Sequence, residues 1–181
     1  MIQKLCRRIL EGCMGYSVNV DQQHPEKYVI ALAPHTSNWD FIIGILYSRA
    51  YGIKSQFMIK KSWFFWPMCY VMRSLGGIPI ERSKKMSLTD QLAEAAKNSK
   101  HFSLCITPEG TRKQVKEWKK GFYYIALKAG IPILLYKIDY EKKVIECSKT
   151  INPNGEFETQ MTEIKEYYKE CKGKHPEKFS L

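Results

Sequence analysis

Two residues with complementary chemistry, His35 and Asp40, lie five positions apart in the first quarter of the chain. A carboxylate that accepts a hydrogen bond from one ring nitrogen of a histidine orients the ring and leaves the other nitrogen as a base. On one continuous helix the two side chains would point well apart, so they can meet only where the chain bends. The spacing therefore predicts a general base, provided that a bend lies between the two residues.

The flanking sequence predicts that bend. The run Tyr28–Ala33 is typical of a buried strand, and Phe41–Tyr47 is typical of a buried helix. Ser37 or Asn38 is a natural N-cap between them, because its side-chain oxygen can accept from an unpaired amide of the first turn. We therefore expect the histidine at the carboxyl end of a strand and the aspartate in the first helical turn, where the helix dipole favours its ionised form. The free ring nitrogen would face the crevice in which open α/β sheets bind ligands.

Length and composition restrict the class of protein. With 181 residues, 44% of them hydrophobic, the chain is long enough to form one domain over 1–181. No signal-peptide pattern is found, and the uncharged aromatic stretch 62–72 is too short to span a bilayer. The six cysteines lack Cys-x-x-Cys spacing, which favours reduced thiols in the cytoplasm. Neither they nor the four histidines have metal-ligand spacing, so we expect no metal.

The formal net charge of +11 predicts an anionic partner. Charge alone leaves the choice open between nucleic acid, an anionic membrane, and an acidic protein or phosphate-bearing substrate. Residues 1–20 predict a basic amphipathic helix that can lie on anionic lipid or pack on its own domain. The aromatic stretch 62–72, flanked by Lys60, Lys61 and Arg73, favours contact with lipid or an acyl chain over a core helix.

Apolar runs alternate with amphipathic segments along the rest of the chain. This alternation predicts an α/β fold, a single layered domain with a mainly parallel mixed sheet flanked by helices, and a loop-like tail over 172–181. The further predicted strands are 76–82 (a turn and then a strand), 102–107, 131–138 and 140–150, and the further predicted helices are 87–97, 121–128 and 159–171.

Three predicted strand ends can converge on one crevice. It would hold the base His35 and the guanidinium groups of Arg82 and Arg112. Arginine binds phosphate through two parallel hydrogen bonds and keeps its charge when partly desolvated. Separately, these residues fit a core histidine and two surface salt bridges; together they favour a clamp for a phosphorylated alcohol whose hydroxyl is deprotonated by the base. The three segments are 35–40, 76–82 and 109–112.

Four sequence blocks occur in order along the chain: His35-x4-Asp40, Gly77-Ile78-Pro79-Ile80-Glu81-Arg82, Pro108-Glu109-Gly110-Thr111-Arg112 and Ile131-Pro132-Ile133. Together they resemble the glycerolipid acyltransferase family, which includes bacterial lysophosphatidate acyltransferase (1-acyl-sn-glycerol-3-phosphate acyltransferase). A lone His-x4-Asp is weak evidence, whereas four blocks with this order and spacing are strong evidence. The resemblance implies a glycerol-3-phosphate acyltransferase-like fold.

The resemblance implies that a fatty acyl group moves from a thioester, on acyl carrier protein or coenzyme A, to a lysolipid hydroxyl, first of all that of lysophosphatidate. It implies His35 as general base and Asp40 as the residue that orients it, with no cofactor besides the thioester co-substrate. With the charge and the aromatic stretch, it predicts a peripheral protein on the anionic inner face of the cytoplasmic membrane. The implied glycerol-phosphate site consists of Arg82, Glu109, Gly110, Thr111 and Arg112.

Three alternatives stay open. Departures from the family pattern at Pro34, Pro79 and Thr107 leave room for an aminolipid acceptor, such as an ornithine or glycine lipid, whose carboxylate the arginines would bind. A basic nucleic-acid-binding module would use the lysines and aromatic residues of 113–124, but no nucleic-acid-binding motif accompanies them. A hydrolase would need an activated nucleophile, and no Gly-x-Ser-x-Gly elbow occurs.

Overall fold

The computed structural model describes residues 1–80 and 87–181. Within these ranges the strands are β1 (Ser17–Val20), β2 (Lys27–Leu32), β3 (Gln56–Lys60), β4 (Gly77–Ile80), β5 (Phe102–Ile106), β6 (Ile133–Asp139) and β7 (Val144–Ile151). The helices are α1 (Ile2–Arg7), α2 (Trp39–Tyr51), α3 (Met68–Ser74), α4 (Leu88–Asn98), α5 (Gly121–Ala129) and α6 (Phe157–Tyr168). Helix α1 continues with π-helical geometry through Arg8–Cys13, and 3₁₀ turns occupy Lys61–Trp63 and Pro176–Lys178.

The seven strands form one sheet in the order β1-β7-β6-β2-β5-β3-β4. Five neighbouring pairs are parallel and only β6 with β7 is antiparallel, so the mainly parallel mixed sheet predicted from the sequence is confirmed. Strands β6 and β7 are antiparallel because residues 140–143 are too few for a crossover connection. The parallel strands β2, β3, β5 and β6 all end at the same edge of the sheet, which we call the site edge.

Helices cover both faces of the sheet, which explains why successive residues of β2 are apolar. Val29 points to the face covered by α4, α5 and α6, where it belongs to the same core cluster as Phe122. Ile30 points to the opposite face, where it belongs to a second cluster with Leu10 of the N-terminal helix and Ile43 of α2. The central strand β2 therefore reaches the site edge between the two hydrophobic cores.

The predicted helix over 1–20 was wrong in its extent. Helical geometry ends at Cys13, and Ser17–Val20 forms strand β1, which pairs with β7. Gly15 adopts a φ of 73°, which takes the chain out of the helix at little steric cost. The pairing partner of β1 lies more than a hundred residues away, so the local helical pattern could not reveal the strand.

Other predicted elements are present with shifted ends. Strand β7 begins at Val144 rather than at 140, because residues 140–143 form the turn after β6. Strand β3 was not predicted, and the tail over 172–181 is irregular apart from its 3₁₀ turn. Arg82, the last residue of the predicted segment 76–82, lies outside the described residues. In the part of the chain that the structure describes, no helix combines the length and apolar character needed to cross a bilayer.

Candidate active site

The loop between β2 and α2 brings His35 and Asp40 into contact. The Nδ1 atom of His35 lies 3.0 Å from Oδ2 of Asp40, in the first turn of α2. Asn38 occupies the N-cap position without a side-chain cap, while the hydroxyl of Ser37 accepts from the amide of Trp39 at 3.2 Å. The predicted bend is therefore present, and the side chains five positions apart form a hydrogen-bonded pair.

Asp40 is fully buried and every oxygen of its carboxylate has a partner. Oδ2 also accepts from the amides of Thr36 and Ser37, each at 2.9 Å, and Oδ1 accepts from the hydroxyl of Tyr140 at 2.6 Å. Burial alone would raise the pKa of this carboxyl, but hydrogen bonds from His35, Tyr140 and Ser37 outweigh it and hold the pKa below its ordinary value. An ionised Asp40 binds the Nδ1 proton of the imidazole and leaves Nε2 as a proton acceptor.

Glu109 binds the backbone of His35. Its side chain is only 3% exposed, and Oε1 accepts from the backbone amide of His35 at 2.8 Å. Burial, reinforced by the charge of Asp40, raises the pKa of Glu109 more than the amide of His35 lowers it. The resemblance implied that Glu109 belongs to the acceptor site, and this stays a prediction; the structure shows its carboxyl bound to the backbone of the loop that carries the histidine.

The loop after β5 places three predicted site residues beside this pair. The guanidinium of Arg112 donates to Oδ1 of Asn38, which joins the two loops. Gly110 lies against the side chain of Lys119, and both line the main cavity together with His35. Thr111 and Arg112 are exposed at the site edge.

A cavity of about 810 Å³ opens beside His35 and is lined mainly by apolar side chains. Strands β3 and β5 pair through only two residues each, Gln56 with Leu104 and Phe57 with Cys105. Residues that point to opposite faces of the sheet therefore line the same cavity. Representative lining residues are Leu32, Gly44, Tyr136 and Ile138 on the α2 side, and Met58, Leu92, Phe122 and Ile125 on the α4–α5 side.

Large apolar side chains are exposed near the cavity in two segments. One segment is the beginning of α2, where Phe41 packs edge-on against Phe57 of β3 with ring centroids 4.9 Å apart. The other follows the end of β3, at the site edge. We call these residues the apolar rim; it consists of Trp39, Phe41, Ile42, Trp63, Phe65, Trp66, Tyr70 and Val71, which are 42% to 79% exposed.

The cluster of lysines and aromatic residues over 113–124 is not a platform for stacking bases. Trp118, Phe122 and Tyr123 are buried in the core, and Tyr124 stacks on Phe157 with ring centroids 5.7 Å apart. The lysines of this segment remain at the surface. Among the described residues no three His, Cys, Asp or Glu side chains are grouped so that they could hold a metal ion.

Sequence reasoning missed two residues of the site. Lys119 was grouped with the other lysines of its segment, although its position shortly after Glu109–Arg112 could have indicated a place at the same edge. Tyr140 carries no local signal at all, because its contact with Asp40 depends on which strand lies beside β2. That strand is β6, in which Tyr136 is the partner of Leu32.

Comparison with known proteins identifies the family. A family model described as Acyltransferase matches residues 17–135. Among solved structures, the chain resembles the crystal structure of the 1-acyl-sn-glycerophosphate (LPA) acyltransferase PlsC from Thermotoga maritima, with a TM-score of 0.66 and 19% identity over 92% of this chain and 74% of that one. At this identity the likeness shows a shared fold. No curated protein matches the sequence. Because the family model covers more than half of its length, the chain belongs to the acyltransferase family.

Proposed function

We propose that this protein transfers a fatty acyl group from an acyl thioester, carried by acyl carrier protein or coenzyme A, to the free hydroxyl of lysophosphatidate, giving phosphatidate. The observation that carries the proposal is the 3.0 Å contact between His35 and the buried Asp40, at the edge of a large apolar cavity. A base next to a hydrophobic cavity suits a reaction between a hydroxyl and a long-chain acyl group.

The proposed reaction needs no acyl-enzyme. Nε2 of His35 takes the proton of the acceptor hydroxyl while its oxygen attacks the thioester carbonyl carbon and forms the new C–O bond. The tetrahedral intermediate collapses, the C–S bond breaks, and the leaving thiolate takes the proton back from the imidazolium. This is the general-base half of a serine-hydrolase mechanism, with the acceptor lipid in place of the serine.

Cationic side chains at the site edge support an anionic acceptor. Arg112 and Lys119 flank the opening near His35, and both are exposed. Arginine matches the geometry of a phosphate or carboxylate, and lysine adds a mobile point charge. The name of the Thermotoga structure, an LPA acyltransferase, favours lysophosphatidate over an aminolipid.

The apolar rim supports a membrane surface as the place of reaction. Trp66 is 79% exposed and Tyr70 is 65% exposed, in a chain with a net charge of +11. Tryptophan and tyrosine favour the boundary between lipid headgroups and hydrocarbon, and basic residues favour anionic headgroups. We therefore propose that the protein lies peripherally on the inner face of the cytoplasmic membrane, from which the cavity receives lipid substrates.

A thiol-release assay with purified protein tests this function. Acyl carrier protein or coenzyme A thioesters are supplied against lysophosphatidate, neutral lysolipids and a lyso-aminolipid, and the products are identified by mass. We expect thiol release that requires lysophosphatidate, and a fall in kcat of about 10²- to 10⁴-fold in His35→Ala. His101→Ala is the matched control, because His101 is exposed just before β5, at the edge of the sheet opposite the site. Near-normal turnover by His35→Ala would contradict the proposed mechanism, and acylation of the lyso-aminolipid alone would change the acceptor.

A further inference from the structure

The carboxylate that orients the proposed base has one partner outside the region matched by the family model. The hydroxyl of Tyr140 donates to Oδ1 of Asp40 at 2.6 Å, and the match ends at residue 135. The other three partners of Asp40 belong to the His35 loop and all bind Oδ2. Within the described part of the chain, Tyr140 is thus the only side chain bound to the second oxygen.

The position of Tyr140 is fixed from several directions. Its amide donates to the carbonyl of Lys172 at 2.9 Å, and its ring meets the ring of Tyr16 edge-on with centroids 6.1 Å apart. The preceding residue, Asp139, accepts from the amides of Glu141 and Lys142 at 2.9 and 2.8 Å and so closes the turn after β6. The hydroxyl therefore approaches Asp40 from a rigid support.

The C-terminal segment 172–175 connects this support to the histidine loop. The amide of His175 donates to Oγ1 of Thr36 at 3.1 Å. Gly173 lies so close that a Cβ atom there would be 2.8 Å from the same oxygen. One short segment thus contacts both Tyr140 and the residue that follows His35.

We propose that Tyr140 is a positioning residue of the His35–Asp40 pair, supported by segment 172–175. The inference rests on the proposed function, in which His35 is the base. Without the tyrosine hydroxyl, one oxygen of a fully buried carboxylate has no donor, which is costly for the ion and lets the carboxyl group rotate. The imidazole then loses its fixed acceptor at Nδ1, and a smaller fraction of molecules presents Nε2 as a base.

Tyr140→Phe, which removes one oxygen atom and keeps the ring, tests this inference. We expect kcat to fall roughly tenfold, as for loss of a hydrogen bond to a charged group, with KM for both substrates unchanged. In ¹⁵N-histidine NMR spectra, we expect the His35 signals to move from the Nδ1–H tautomer toward a mixture of tautomers. Tyr123→Phe is the matched control, because its buried hydroxyl also donates at 2.6 Å, to Gln160, away from the cavity lining.

A purely structural role for Tyr140 would change the melting temperature and leave kcat and the His35 tautomer as in the wild type, and this result would overturn the inference. Gly173→Ala is a second variant that does not touch Tyr140; displacement of Thr36 should lower kcat and shift the same NMR signals. Gly12→Ala is its control, because a Cβ there meets only a flexible arginine side chain at 3.8 Å. If Tyr140→Phe fails to fold, wild-type kcat in Gly173→Ala overturns the proposal and a reduced kcat supports it.

His35→Ala, assayed in parallel, separates this inference from the proposed function. If His35→Ala is inactive and Tyr140→Phe is fully active, His35 remains the proposed base and the positioning role of Tyr140 is rejected. An active His35→Ala rejects both, because Tyr140 can act only through the histidine.

Discussion

Two buried carboxyl groups lie on either side of His35, and their surroundings shift their pKa values in opposite directions. Hydrogen bonds keep the pKa of Asp40 low despite its burial, whereas burial and the charge of Asp40 raise the pKa of Glu109. Two carboxylates so close together would repel each other in a low-dielectric environment. The anionic form is therefore favoured at Asp40, which contacts the imidazole, and disfavoured at Glu109, which binds the backbone of His35.

This division of roles gives a prediction for Glu109→Gln. Glutamine keeps an oxygen for the amide of His35, so activity should stay within about threefold of the wild type, whereas Glu109→Ala should lose about tenfold or more because that amide is left unpaired.

The raised pKa of Glu109 means that the folded wild type holds a proton that the unfolded chain releases above about pH 4.5. Wild-type stability therefore falls as the pH rises from that value through the folded-state pKa, and the glutamine variant lacks this loss. Melting temperatures measured between pH 4 and pH 8 should favour Glu109→Gln increasingly with pH; a constant difference would contradict a raised pKa of Glu109.

Lys119 offers a test of how the acceptor is held. Lys119→Met keeps the alkyl chain that packs on Gly110 and removes the charge. We expect KM for lysophosphatidate to rise roughly five- to tenfold with little change in kcat, because an exposed charge contributes modestly to binding an anion. KM for an uncharged monoacylglycerol should not change. Lys100→Met, with an exposed lysine ahead of β5, is the control, and an equal effect on both acceptors would remove Lys119 from the phosphate site.

The sequence predicted correctly those strands and helices whose form is decided by one local pattern. The apolar run before His35 forms a strand, and the apolar run after Asp40 forms a helix. The chain has to bend where the one changes into the other. Helix α4, predicted over 87–97, begins at Leu88 with Ser87 as its N-cap, and the serine hydroxyl accepts from the amide of Asp90 at 3.2 Å. Such features depend on neighbours within one turn.

Features that depend on distant pairing could not be predicted in this way. Strand β3 has only five residues, Gln56–Lys60, with polar ends, so its apolar centre is too short to stand out. The contact of Tyr140 with Asp40 joins residues 100 positions apart and follows from the adjacency of β6 and β2. The burial of Glu109 likewise depends on how two loops fold over each other. The sequence could therefore indicate that segments 35–40 and 109–112 lie together, and only the sheet order shows how they meet.

Helix α2 also forms part of the cavity wall, which leads to a prediction about the acyl chain. Gly44 lines the cavity, one turn beyond Asp40, and a Cβ atom there would meet nothing within 4 Å. Gly44→Leu should therefore fill cavity space without disturbing the core, and Gly44→Ala should stabilise α2 by about 0.5–1 kcal/mol. We expect Gly44→Leu to lower kcat/KM for long-chain thioesters more than for short-chain ones, because each excluded methylene loses about 0.8 kcal/mol of burial. An unchanged chain-length profile would show that the acyl group lies elsewhere.

The protein combines a large positive charge with the exposed side chains of the apolar rim. A net charge of +11 attracts anionic surfaces over a distance of about one Debye length, roughly 10 Å at moderate salt. In the proposed membrane binding, the apolar rim would supply the short-range contact, because its side chains can leave water only when they enter lipid or meet another apolar surface. Because part of the apolar rim lies in the first turn of α2, directly after the His35 loop, binding through the rim would turn the cavity toward the membrane.

Removal of the most exposed rim residues tests this orientation. In Trp66→Ser with Tyr70→Ser, binding to vesicles that contain anionic phospholipid should weaken about tenfold or more, because two interfacial aromatic anchors are lost. Turnover of substrates dispersed in detergent should stay at the wild-type level, since neither side chain lines the cavity. Leu181→Ser, at an exposed apolar residue of the C-terminal tail, is the control and should bind vesicles normally. Vesicle sedimentation at low and high salt then separates the two contributions: salt should weaken the residual binding of the double variant most, because charge alone remains to hold it. Wild-type binding by the double variant would mean that another surface meets the membrane and that the cavity does not open toward it.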